Sequence, residues 1–211
     1  MKKIVLILTL IVSLLGCGSA SNNDQGVTFT LFGFYADSSG EVGLTGTSLR
    51  FSEISDTEPS SSTTGTFSNV VYLGMQNNLS GQLIRTSRVY YTFLVPGASV
   101  QPPSTNGALV VTLGPTNNTA GSSLPPSLVG NTTAASTHFS GVSIIPVPIR
   151  EWLNLHRGEL PAAPFDIEAT VYVRGSTSSG DELNTNPATL IVKILPDVII
   201  PPTPGADTPA S

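Results

Sequence analysis

The two histidines, His138 and His156, lie 18 residues apart, and neither falls in a metal-ligand spacing such as His-Glu-x-x-His. A Ser-His-Asp triad assembles in space, so sequence alone never excludes one. There is, however, no Gly-x-Ser-x-Gly elbow, and serine is too frequent here to mark a nucleophile. Asp37 with Glu41, and Asp181 with Glu182, could offer carboxylate oxygens to Ca²⁺, but neither matches an EF-hand loop; solvated turns are the simpler reading. Glu151, Glu159, Asp166 and Glu168 could supply a carboxylate pair for glycoside hydrolysis, although spacing says nothing about their separation. Trp152, the only tryptophan, is the candidate ligand-stacking ring. No catalytic residue, metal ligand or cofactor motif is assigned.

These side chains need a scaffold, and composition points to strands. Charged residues make up 11% of the chain, while Ser, Thr, Gly, Asn and Pro are abundant. That balance suits short strands joined by turns, with hydroxyls on the solvent face. Val27–Tyr35 reads as a first strand, Asp37–Glu41 as its turn, and Leu44–Ile54 as one returning strand. Residues 55–65 read as a loop. Val70–Leu73, Leu83–Arg85 and Val89–Val95 read as three further strands, the last central because nearly every position is apolar. Short strands follow over 108–113 and 139–147. Between them, residues 114–135 carry few large apolar side chains, and a loop this long is uncommon inside a compact domain. It is a domain boundary, an exposed functional loop or a decoration.

Ile149, Trp152, Leu153 and His156 recur at i, i+3, i+4 and i+7, which predicts one short helix over about 149–156, with Pro148 at its first position. On that helix Trp152 either seals one end of the core or stacks on a ligand. Phe165–Val173 alternates cleanly, the 176–182 segment turns it, and Ala188–Leu195 returns. This closing unit, with Thr-Val-Tyr-Val before the turn and Thr-Asn-Pro-Ala after it, resembles the last two strands of bacterial Ig-like and fibronectin-III-like domains. The resemblance implies an all-β, Ig-like antiparallel β-sandwich and no activity. Thr30-Leu31-Phe32 with Ser38-Ser39-Gly40-Glu41 also echoes Thr170-Val171-Tyr172 with Ser178-Ser179-Gly180-Asp181. The echo marks either a repeat or two hairpins that use the same turn chemistry.

At the N-terminus, Lys2 and Lys3 precede an apolar run from Ile4 to Leu15, 12 residues long. A membrane span needs about 20, so this is the pattern of an export signal. The run ends in Leu14-Leu15-Gly16-Cys17, which resembles the lipobox of bacterial lipoproteins. The resemblance implies cleavage before Cys17, acyl chains on Cys17, and anchoring without a transmembrane helix. Gly18 after the cysteine favours the outer membrane, facing the periplasm or the outside. The organisation is then a signal peptide over 1–16, an anchor and flexible tether over 17–26, the sandwich over 27–195 and a Pro-rich disordered tail over 196–211. Cys17 is the only cysteine, so disulfides and thiolate metal sites are excluded.

Removing Lys2 and Lys3 from the nine basic residues leaves seven against 14 acidic ones, a mature charge of about −7. With no basic run, electrostatic nucleic-acid binding is excluded. Asn-x-Ser/Thr occurs at Asn78, Asn117 and Asn131, as expected by chance in such a Ser/Thr-rich chain. The expected function is a structural, adhesive or assembly module of the cell envelope, with an envelope protein or polysaccharide as partner and the membrane held through Cys17. The alternative is an envelope hydrolase or carbohydrate-binding protein with its site near Trp152.

Overall fold

A computed structural model describes residues 27–52, 69–116 and 135–197. The expected signal peptide, Cys17 and its tether, the 55–65 loop, most of 114–135 and the tail from 198 onward lie outside the described residues.

The chain is all-β, two sheets packed face to face. The smaller has the order β2–β1–β4–β8, built from β1 (Phe29–Tyr35), β2 (Gly43–Leu44), β4 (Val70–Asn77) and β8 (Thr137–Ser143). The larger has the order β3–β11–β9–β5–β6, from β3 (Gly46–Arg50), β5 (Ile84–Leu94), β6 (Thr105–Ala108), β9 (Phe165–Thr177) and β11 (Ala188–Leu195). Two short strands complete it: β7 (Thr112–Leu113) pairs with β5, and β10 (Glu182–Asn184) pairs with β9. The pairs β4–β8, β5–β9 and β3–β11 each join chain from before residue 114 to chain from after residue 135.

Period-2 alternation builds this arrangement. All seven odd-numbered residues of β9 are buried and the even ones stay partly exposed, so one face of a 13-residue strand meets the core. Phe29, Leu31, Leu73 and Met75 face it from the smaller sheet, each at most 1% exposed. Burying such a side chain contributes about 1.5–3 kcal/mol. The helix α1 (Val147–Leu155) carries the chain from β8 to β9 and buries Ile149 and Leu153. It begins two residues earlier than expected, at Val147, so Pro148 takes the second helical position. No side chain caps its start, which leaves packing to hold so short a helix.

Several expected strands are drawn differently. The single returning strand over 44–54 is two strands in different sheets: β2 pairs with β1, the chain crosses at Thr45, and β3 pairs with β11. Gly46 permits the crossing, because a Cβ there would stand 3.2 Å from the Ile191 carbonyl oxygen. Keeping its direction through the crossing, β3 lies parallel to β11. The larger sheet is therefore mixed, where an all-antiparallel arrangement was expected.

Leu83–Arg85 and Val89–Val95 belong to one strand, β5, with a bulge between Thr86 and Arg88. The polar run Arg-Thr-Ser-Arg hides it from a hydrophobicity reading. Its inward side chain, Thr86, is 1% exposed, and its hydroxyl donates to the Leu109 carbonyl (2.6 Å) and accepts from the Val111 N–H (2.8 Å). Of the strand expected over 108–113, Ala108 ends β6, Thr112–Leu113 form β7, and 109–111 lie between the two.

Side-chain amides finish what the strands leave open. The Leu31 N–H donates to Asn186 Oδ1 (2.9 Å), and Asn186 Nδ2 donates to the Leu31 carbonyl (2.8 Å). Leu31 flanks the β1 bulge, where Gly33 has φ 146°, a backbone region that suits glycine. Gln101 clasps both backbone groups of Val95 in the same way, at 2.7 and 3.0 Å, and Asn69 those of Ile145, at 2.9 and 3.1 Å. Each carboxamide acts as a one-residue strand.

The repeated hairpin motif resolves as shared turn chemistry. One copy joins β1 to β2 and the other β9 to β10, in different sheets, each with a positive-φ glycine: Gly40 at 71° and Gly180 at 95°.

Candidate functional site

Trp152 packs partly buried against the core, and its ring stacks on His156 with centroids 4.5 Å apart. His156 in turn lies 3.1 Å from Glu159. His138 sits on β8, opposite Met75 of β4, with its pKa lowered by desolvation. Asp166 lies near Lys193 (3.7 Å). Asp181 accepts the Ser179 hydroxyl (2.8 Å), and Asp37 accepts both the hydroxyl and the N–H of Ser39, which hold its carboxyl below the usual range. Asp37 and Asp181 serve turns, and Asp166 lies in β9. Among the described residues no three His, Cys, Asp or Glu side chains gather as a metal site, and no helix is long and apolar enough to cross a membrane. The Asn78 side-chain nitrogen donates to the Val27 carbonyl (2.7 Å) and the Thr30 hydroxyl (2.9 Å), tying down the start of β1. Asn117 and Asn131 lie outside the described residues.

A different group of side chains stands out. The even residues of β9 point away from the core, and so do Arg85, Arg88 and Tyr90 of β5. The register sets Arg88 against Arg174 and Tyr90 against Tyr172. The two phenol rings are parallel, 3° apart in plane with centroids 4.8 Å apart. The Arg174 guanidinium lies 5.2 Å from the Tyr90 ring centre, a cation–π distance. Arg88 Nη1 donates to Asn106 Oδ1 on β6 (2.7 Å), and Arg174 Nε donates to Asn184 Oδ1 on β10 (3.3 Å). The two cations are thus turned toward opposite neighbours. Arg85 continues the row, opposite Ser176.

Three of the chain's nine lysines and arginines therefore share one face of two adjacent strands. Ion pairs among the described residues are His156–Glu159, Arg157–Asp197 and Lys193–Asp166, and these three arginines enter none of them. Like charges directly opposite across strands work against stability, and here the protein is otherwise acidic. Each guanidinium has five N–H donors in a planar fork; Arg88 and Arg174 each spend one on an asparagine.

Two depressions adjoin this sheet. One of about 210 Å³ lies at the Arg85 end of the row, lined by Leu83, Arg85, Thr112, Ser176, Thr177 and Ser178. The other, about 280 Å³, opens between β8 and β6, with Tyr91 and Ser143 as its hydroxyl-bearing side chains. Burial pushes the Tyr91 phenol pKa up, and no general base lines that depression. Hydroxyls and guanidinium can bind; they do not make a nucleophile–base pair.

No protein-family model matches the chain, and no match is found among curated proteins or solved structures. The arginine–tyrosine row was open to reading only as isolated letters, because Arg88 and Arg174 are 86 positions apart. The alternation of 165–173 is the signal that places Tyr172 outward, but the bulge in β5 conceals its partner row.

Proposed function

We propose that the protein is a lipid-anchored, non-catalytic recognition module of a bacterial envelope. Acyl chains on Cys17 hold it at the outer membrane, residues 17–26 space the sandwich from the bilayer, and the outer face of β5 and β9 meets the partner. The lipobox resemblance at Leu14–Cys17 supports the anchoring. The recognition reading rests on one observation: Arg88 and Arg174 oppose each other across a strand pair, and among the described residues neither forms an ion pair with a carboxylate. Positions that work against stability mark sites held for another purpose.

The test is cosedimentation of the mature chain with purified envelope material. Arg88→Gln with Arg174→Gln should abolish it, while Tyr72→Ser, on the outer face of the other sheet, should leave it intact. Equal binding by all three proteins would remove this face from the account.

A further inference from the structure

Building on that reading of the β5–β9 face, we infer that its ligand is an acidic polysaccharide, a sugar chain that carries carboxylate groups. Three features of the surface select this class. Among the described residues the guanidiniums of Arg85, Arg88 and Arg174 enter no ion pair with a carboxylate, and a planar guanidinium matches a carboxylate with two parallel hydrogen bonds. The groups around them include amides and hydroxyls, Asn106, Asn184, Thr112 and Ser176, which both donate to and accept from sugar hydroxyls; Glu182, opposite Ser176 on β10, is exposed beside the Arg85 end and forms no ion pair with the row. The depression of about 210 Å³ at the Arg85 end has room for part of one sugar ring, and four of its six lining residues, Thr112, Ser176, Thr177 and Ser178, carry hydroxyls.

The row also runs along the strands. Arg85 and the Arg88–Arg174 pair are separated by about two strand steps, roughly 7–10 Å at 3.4 Å per residue. A repeating anionic polymer can meet successive cations on that spacing. The stacked Tyr90–Tyr172 pair gives the site a rigid ridge whose conformational entropy is already spent.

Other anionic surfaces fit less well. Binding to nucleic acid typically neutralises six to ten phosphates, and three arginines on a chain of about −7 fall short. Docking on an anionic bilayer draws on exposed large apolar side chains beside the cations. The centre of this patch holds tyrosines and asparagines; of the exposed large apolar side chains, Leu83 lies at the Arg85 end and Leu94 at the far end of β5, so the row itself presents no continuous apolar surface.

The experiment is a titration of the mature chain with polygalacturonate, with neutral dextran and with phosphatidylglycerol–phosphatidylcholine vesicles. Polygalacturonate should bind, and the interaction should weaken steeply between 50 and 500 mM NaCl, where screening becomes strong at about 0.15 M. Arg88→Gln and Arg174→Gln should each weaken it about tenfold. Lys193→Gln, the same charge change on β11 of the same sheet, should leave it unchanged. Circular dichroism and melting of each variant confirm that the fold is kept.

Equal binding to dextran, or binding to the vesicles in place of the polymer, would overturn the inference. So would polygalacturonate binding that ignores both arginines. If polygalacturonate fails to bind while cosedimentation with envelope material stays arginine-dependent, the ligand class is wrong and the recognition face stands. If both are indifferent to the arginines, the face itself is wrong.

Discussion

Asn186, Gln101 and Asn69 each complete the hydrogen bonding of one backbone residue, and this work falls to the amide because only a carboxamide carries a donor and an acceptor side by side. An aspartate at 186 would keep the acceptor toward the Leu31 N–H but set a second oxygen against the Leu31 carbonyl, which now accepts at 2.8 Å. Asn186→Asp should therefore cost about 1–3 kcal/mol, the range for stranding a buried polar group. Urea unfolding measures it, and a midpoint equal to wild type would refute the clasp. Trp152 belongs to this scale too. It is only partly buried and shares a face with His156, so Trp152→Ala should cost about 2 kcal/mol, below the 3–5 kcal/mol of a fully buried ring. A thermal melt indistinguishable from wild type would return the ring to the ligand-stacking alternative. None of the three clasps is legible in the sequence: Asn186 before Pro187 reads as turn chemistry, and the partners of Asn186 and Asn69 are 155 and 76 positions away.

Strand positions were legible where large apolar residues carry the alternation, as in β11 and in β9 as far as Val173, and misdrawn wherever a local device interrupts the pattern; β9 runs on through Gly175 and Thr177, and Glu182 opens β10, where a turn over 176–182 was expected. Thr86 is such a device, a buried hydroxyl whose two hydrogen bonds let a polar run lie in a strand. The crossing at Thr45 is another, because a change of sheet leaves no mark on hydrophobicity. The ends of β3, β11 and the 3-10 turn after α1 (Arg157–Glu159) are joined by one carboxylate. The Ser52 N–H donates to Asp197 Oδ1 (2.7 Å), Arg157 lies 3.7 Å from its other oxygen, and the same guanidinium covers the Phe51 ring at 4.3 Å. The Ser52 hydrogen bond is the main cause of the lowered Asp197 pKa, with Arg157 and Arg50 adding to it. A lowered folded pKa means that the charged form favours the native state. The contribution is complete above the unfolded value of about 4 and disappears as the pH falls through the lowered folded value. For so exposed a group it is about 0.2–1 kcal/mol. Asp197→Asn should melt slightly below wild type at pH 7, and the gap should close as the pH falls through the lowered folded value. A gap that persists in acid would show that the charge is not what joins these ends.

At the scale of the whole molecule, low charge and abundant Thr, Ser and Gly announced an all-β chain, and two sheets around one core are what they make. The pairing between sheets and the convergence of Arg88 with Arg174 were beyond reach, because both depend on contacts that cross most of the chain. Everything proposed about function supposes that this sandwich works at a membrane, carried there by Cys17. The direct measurement is detergent-phase partitioning of the protein expressed in a bacterial host, wild type beside Cys17→Ser. Wild type should enter the detergent phase with its N-terminal peptide beginning at an acylated Cys17, and the serine variant should remain an uncleaved precursor or a soluble protein. A Cys17→Ser protein that is cleaved and still partitions with the membrane, or a wild-type Cys17 that carries no lipid, would contradict the account.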